Sequence, residues 1–214
     1  MTARLTLRLG LFAIVAFVVG LVAARALLSP RQVPVPVTEN ATVFEAPRAV
    51  PALQLVDQDG QPYTAAALRD RWTVAFFGFT YCPDVCPTTL AVLKQMRQQL
   101  ADLPEAQRPH VVLFTVDPER DTPERLRDYV RFFDPAFGAA TGTVADVEQA
   151  AAAFNVPFAK VTLPQGGYTM DHGAGIFLVD PAGRRIAYAS PPFDAATLAR
   201  DYRKVLQYYE DLGG

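Results

Sequence analysis

The sequence predicts an α/β sandwich behind an apolar N-terminal segment. Residues 72–79 and 110–116 are apolar on both faces, as strands covered by helices on either side would be. Stretches with helical periodicity follow both runs. A nearly unbroken apolar stretch from Leu9 to Ala24, prolonged by Ala26-Leu27-Leu28, stands ahead of them.

The chain has 214 residues, and its first fifth differs from the rest, which leaves one domain of roughly 160–170 residues. A domain of that size builds its own core and needs no disulfide to hold it. The 20 Lys and Arg nearly balance the 22 Asp and Glu, for a formal charge of −2, so no bulk electrostatic affinity for nucleic acid is expected. There is no long charge run, low-complexity block or internal repeat.

Arg4 and Arg8 precede the apolar stretch, which to Leu28 has about the length that spans a bilayer. Arginines on the short side favour a cytoplasmic N-terminus. Residues 1–28 are therefore expected to be a single-pass transmembrane helix, an N-terminal membrane anchor. A cleaved signal peptide is the rival reading, because Ala24-Arg25-Ala26 offers small residues to a peptidase. No cysteine near residue 30 could carry a lipid. A bacterial inner-membrane protein with its C-terminal domain in the periplasm fits best. Residues 29–50 are expected as an extended Pro-rich tether, because Val33-Pro34-Val35-Pro36-Val37 cannot form helix and spoils a sheet centre. The domain proper is then 51–214.

Within it, residues 52–56 alternate and Asp57-Gln58-Asp59-Gly60 turns them into a hairpin. A short helix at most follows at 65–70, then the central strand 72–79 and a helix over 88–100. The second buried strand, 110–116, closes at Asp117-Pro118. Thr122 caps a helix with Pro123 in its first position, and Leu126, Tyr129, Val130 and Phe133 share its inner face. Thr143 caps a third helix to residue 154. Residues 158–163 and 168–171 flank a turn at Pro164-Gln165-Gly166-Gly167. Residues 174–179 and 185–189 flank another at Asp180-Pro181-Ala182-Gly183. Asp194 caps a last helix to residue 209. This order suggests a thioredoxin-like sandwich with an N-terminal β-hairpin and a helical insertion.

Both cysteines of the chain, Cys82 and Cys86, lie in Thr80-Tyr81-Cys82-Pro83-Asp84-Val85-Cys86-Pro87-Thr88-Thr89, between the central strand and its helix. Pro83 and Asp84 suit the centre of a type I turn starting at Cys82. Pro87 biases Cys86 away from helical geometry and suits the first turn itself, which puts Cys86 at the helix N-terminus. The helix dipole lowers a thiol pKa there, and the thiolate serves either metal binding or disulfide exchange. A staple across so small a loop would remove little chain entropy. The C-x-x-x-C spacing is not the C-x-x-C redox signature.

A metal would need a third ligand, and there are two histidines. His110 follows Pro109 at a strand start and reads as an edge or solvent residue. His172 precedes the strand 174–179, which in a thioredoxin-like fold runs beside the cysteine helix. From the residues alone it reads equally as a structural histidine or a ligand. Two thiolates and an imidazole suit Cu(I) and accept Cu(II), whereas structural zinc wants four ligands. Met96 and Met170 are soft extra donors, Met96 reading better as core.

The sequence resembles the SCO/SenC family of copper-binding, thioredoxin-like proteins. The matching blocks are Phe77-Gly78-Phe79-Thr80-Tyr81-Cys82-Pro83-Asp84-Val85-Cys86-Pro87-Thr88-Thr89-Leu90, Val116-Asp117-Pro118-Glu119-Arg120-Asp121-Thr122, and Asp171-His172 ahead of Ile176-Phe177-Leu178-Val179-Asp180-Pro181-Ala182-Gly183. The likeness runs from about residue 50 to the C-terminus. It implies one copper ion bound through Cys82, Cys86 and His172. It also implies a part in building the dinuclear copper centre of cytochrome c oxidase subunit II, by delivering copper or by reducing that subunit's cysteines. The expected partners are that subunit and either another periplasmic copper carrier or a thioredoxin-like reductant. The protein is expected to be a metallochaperone rather than an enzyme, with thiol–disulfide exchange by a redox-active Cys82–Cys86 pair as the alternative. Gly173 departs from the Ser, and Tyr81 from the His, that many members carry. Asp117 and Asp121 read as a strand-end turn and a helix cap, or as contacts for the oxidase subunit. Asp84 reads as a turn residue or a tuner of the loop's charge.

Overall fold

The structure, a computed structural model, describes residues 16–22, 24–25 and 33–212. The chain divides into two units, residues 1–34 and 35–214. In the first, residues 16–22 and 24–25 are helical. Among the described residues no helix is long and apolar enough to cross a membrane. Much of the expected anchor, residues 1–28, lies outside the described residues.

The second unit is built on a sheet of strands β1 (Ala41–Ala49), β2 (Leu55–Asp57), β3 (Pro62–Tyr63), β4 (Thr73–Gly78), β5 (His110–Thr115), β6 (Gly138–Thr141), β9 (Ile176–Val179) and β10 (Arg184–Ala189). A separate hairpin pairs β7 (Phe158–Thr162) with β8 (Tyr168–His172). Four α-helices complete it: α1 (Val85–Gln99), α2 (Pro123–Phe133), α3 (Val144–Phe154) and α4 (Ala195–Asp211). The sheet order is β1-β10-β9-β4-β5-β6-β2-β3. Strands β4, β5 and β6 run parallel, β9 pairs antiparallel with β4, and β10 pairs antiparallel with β9.

Every residue of β4 is buried, as its unbroken apolar run requires. Successive side chains face opposite layers. Val74 lines one small apolar cavity with Met96 of α1 and Leu198, Tyr202 and Val205 of α4. On the other face Phe77 stacks on Phe114 at 5.3 Å, and Phe154 of α3 closes on both rings and on Phe177. Each ring so buried contributes roughly 1.5–3 kcal/mol relative to exposure.

Most expected elements are present, with three corrections. Residues 41–49, expected in the tether, are β1 and pair with β10. An edge strand tolerates Pro47 where the register breaks, between Val43 and Arg48. Strand β6 was not expected, because Gly138-Ala139-Ala140 lacks the β-branched signature. Its small residues suit a fully buried slot beside β5. Helix α1 begins at Val85, earlier than residue 88. The capping expectations fit: Thr122 accepts from Arg125 N, and Thr143 forms a capping box with Asp146.

Candidate metal centre

Strand β4 ends at Gly78 under the first turn of α1. A Cβ at Gly78 would lie 2.8 Å from Cys86 Sγ and 2.9 Å from Phe76 Cζ, so only glycine lets the helix close over the strand end. The chain then turns, with Cys82 N donating to Phe79 O at 3.2 Å. That turn is centred on Thr80 and Tyr81, three residues before the expected Pro83-Asp84 turn. Asp84 is the N-cap of α1, so Cys86 and Pro87 lie inside the first turn. Cys86 is therefore helical, contrary to expectation. Proline is tolerated there because the N–H it lacks belongs to the unpaired donors of a helix start.

Both thiols are free, Cys86 buried and Cys82 half-buried. Cys86 N approaches Cys82 Sγ at 3.4 Å. The hydrogen bond from the Cys86 thiol, reinforced by the backbone N–H groups of Cys86, Asp84 and Val85, holds Cys82 down to about 5 against the opposing effect of burial. The same shared proton, together with burial, drives the Cys86 thiol far up. At neutral pH the loop thus holds one thiolate and one thiol.

The β7–β8 hairpin delivers His172, paired with Phe158 at the hairpin's open end. His172 Nε2 lies 3.9 Å from Cys86 Sγ, across 86 residues of sequence. Nδ1 stands 3.1 Å from the Gly173 carbonyl, which can only accept. Nδ1 therefore carries a hydrogen, which leaves Nε2 as the nitrogen that faces the cysteine side. Phe79 fixes the ring plane edge to face at 5.8 Å.

Cys86 thus lies against each of the other two expected ligands. Among the described residues no three Cys, His, Asp or Glu side chains close into a preformed cage. Two donors at roughly 2.0–2.3 Å from one metal stand about 3–4 Å apart, and the Cys86–His172 separation is of that size. The donor set of thiolate, thiol and imidazole fits a soft ion. The other candidates lie elsewhere. His110 is half-buried at the start of a central strand, not at an edge, and burial, with Arg71 and Arg97, lowers its pKa to about 4. Met96 is in the core beneath the sheet. Met170 lines a cleft with Val147 and Lys160.

The SCO1/SenC family profile matches residues 43–207. This chain belongs to the SCO1/SenC family. It is 36% identical over 169 residues to a protein of Stutzerimonas stutzeri, covering 78% of this chain and 81% of the relative. The structure of ScoI with copper bound from Bradyrhizobium japonicum is 33% identical, with a TM-score of 0.65 over 73% of this chain and 98% of that one. Apo Sco1 of Thermus thermophilus is 35% identical, with a TM-score of 0.67 over 78% and 95%. The thioredoxin-like α/β fold expected from the sequence is the one these Sco structures share.

In this SCO1/SenC chain the second motif block holds the cysteine loop from below. Buried Asp121 accepts from Thr80 N at 3.1 Å, Thr80 Oγ1 at 2.6 Å and Thr115 Oγ1 at 2.7 Å. It brackets the loop entry to the end of β5, while Thr122 caps the helix. Burial raises its pKa despite these donors. Asp117 forms the strand-end turn through its carbonyl. Its carboxylate also pairs with Arg120 and accepts from Tyr168 Oη at 2.9 Å. Arg120, Thr80 and Tyr168 were missed as site-forming residues. Arg120 and Thr80 stood within the motif blocks, but nothing in their spacing joined them to Tyr168.

Proposed function

We propose that this SCO1/SenC protein is a metallochaperone that carries one copper ion through Cys82, Cys86 and His172. We assign it to assembly of the dinuclear copper centre of cytochrome c oxidase subunit II. The observation that carries the reading is the 3.9 Å approach of His172 Nε2 to Cys86 Sγ, with Nδ1 committed to the Gly173 carbonyl. It supplies a soft donor set in which thiols can be protonated, so that cargo can leave as well as enter. The copper-bound relative supports the choice of metal. The oxidase subunit as recipient, with a periplasmic copper carrier or a thioredoxin-like reductant upstream, rests on the resemblance alone. The membrane anchor and the periplasmic domain rest on the Arg4 and Arg8 pattern ahead of the apolar stretch.

A second reading, reduction of the subunit's cysteines, is favoured by one observation. Cys82 is a half-buried thiolate beside a protonated partner, which is the state that attacks a disulfide.

Copper content and Cu(II) spectra of the reduced full-length chain test the first reading. One ion per chain is expected, with His172→Ala folded but much weaker for Cu(II). Unchanged stoichiometry and spectra in that variant would sink the three-ligand site. Insulin reduction at thioredoxin-like rates would reverse the ranking of the two readings.

A further inference from the structure

A cleft of about 600 Å³ is walled by β1, the junction of α3 with β7, and strands β9 and β10. That volume lies in the range of small-molecule sites. Its rim exists because β1 leaves the ladder between Val43 and Arg48, so residues 44–47 bulge away from β10. Where pairing resumes, Arg48 stands directly opposite Arg185, and both line the cleft. Like charges directly opposed across strands destabilise a sheet.

Arg185 is 8% exposed, and its Nε is sealed from solvent with no hydrogen-bond partner. Among the described residues no carboxylate forms an ion pair with either arginine, although Glu45 lies on the rim. The nearest compensation is the Phe154 ring, 5.7 Å from the guanidinium carbon. A buried cation without a counter-ion is costly, and guanidinium is the side chain best shaped to take a carboxylate. Burial and Arg48 both work against the charge on Arg185. Apart from Asn155 and the rim Glu45, the remaining walls are apolar, with Phe44, Phe154, Phe177 and Tyr188 among them.

We propose that this cleft binds a small free organic acid, its carboxylate on Arg185 and Arg48 and an apolar, ring-sized body against Phe154 and Tyr188. Two cations beside a rim glutamate suit one negative charge better than a phosphate. The aromatic walls require an apolar body on the ligand. The inference is independent of the copper reading, since no part of it uses Cys82, Cys86 or His172.

The test is a titration of the full-length chain with phenylacetate, following the amide resonances of Gly173 and Gly175 by NMR. Saturable shifts are expected. Arg185→Met should weaken binding about tenfold or more, and Arg48→Gln several-fold, with both variants folded. Phenylacetamide, which keeps the ring but not the charge, and inorganic phosphate, which keeps charge but no apolar body, should each bind at least tenfold more weakly. Should Arg185→Met fail to fold, Arg48→Gln alone decides the role of charge. Non-saturable shifts, unchanged affinity in the folded arginine variants, or phenylacetamide or phosphate binding as well as phenylacetate would each overturn the proposal.

Discussion

The Arg120 guanidinium lies 3.8 Å from the centre of the Tyr168 ring and 4.5 Å from that of Tyr81. Tyr81 belongs to the cysteine loop, and Tyr168 opens the strand that ends in His172. One cation therefore joins the two segments that supply the expected ligands. Asp117 fixes its orientation, and Arg120 Nη1 donates to the Tyr168 carbonyl at 3.1 Å.

Arg120→Met keeps the stem and removes the planar charge. It leaves the Asp117 carboxylate buried without its cation, which should cost roughly 3 kcal/mol in urea unfolding. Copper affinity, measured by chelator competition, should fall about tenfold or more, as for other residues that orient metal ligands. Adding Asp117→Asn should restore part of the stability but not the affinity. Affinity unchanged in folded Arg120→Met would remove Arg120 from any role in positioning ligands.

Gly78 tests the packing beneath Cys86. The Cβ of Gly78→Ala would press on Cys86 Sγ and on the Phe76 ring, both fully enclosed. Overpacking of this kind costs roughly 1–3 kcal/mol. Because one of the displaced atoms is a proposed ligand, copper affinity should fall together with stability. A variant as stable as the parent would mean the helix start is looser than its contacts imply.

The cysteine pair sets a pH dependence. Cys82 is depressed to about 5, so the unfolded chain binds more protons at this site between pH 5 and about 9. Its stabilising contribution is full above the unfolded value and is lost as pH falls through that window. Cys86 is raised, so above about pH 9 the folded chain holds a proton that the unfolded chain has released, and this contribution falls as pH rises. Metal-free alkylation should therefore consume one thiol first, at Cys82, with an inflection near pH 5. Cys86→Ala removes the largest cause and should move that inflection upward. An inflection at an ordinary thiol value in the parent would contradict the shared proton.

The legible parts of the fold were those with periodicity and caps. Residues 72–79 announced a central strand because burial on both faces forbids polar alternation. Thr122-Pro123 and Thr143 announced helix starts because caps are local chemistry. Strand β6 was illegible because its burial comes from neighbours, not from its own Gly138-Ala139-Ala140. The same division holds at the site. Cys82 and Cys86 could be located from the loop, whereas His172 needed the family resemblance. The bracket of Asp121 on Thr80 joins residues 41 apart, and no local rule predicts it. Residues 41–49 read as tether because Pro47 masked a strand that tolerates it only at the sheet edge.

Two glycines near His172 make opposite predictions. Gly173 is the position where the family resemblance implies serine. A Cβ there would meet Val156 Cγ1 at 3.5 Å and Pro157 Cδ at 3.6 Å, ordinary contact distances. The carbonyl that holds His172 Nδ1 is backbone and survives the change. Gly173→Ser should therefore leave stability within about 0.5 kcal/mol of the parent, the range of innocuous substitutions, and copper affinity nearly unchanged. At Gly175 a Cβ would overlap the Tyr188 ring, which must move away. Gly175→Ser should cost roughly 1–3 kcal/mol by overpacking. Thermal unfolding of both variants, with chelator competition on the first, checks the pair. If Gly173→Ser weakened copper binding strongly without loss of stability, the histidine would depend on more than its backbone acceptor, and the account of how Nε2 is presented to Cys86 would fail.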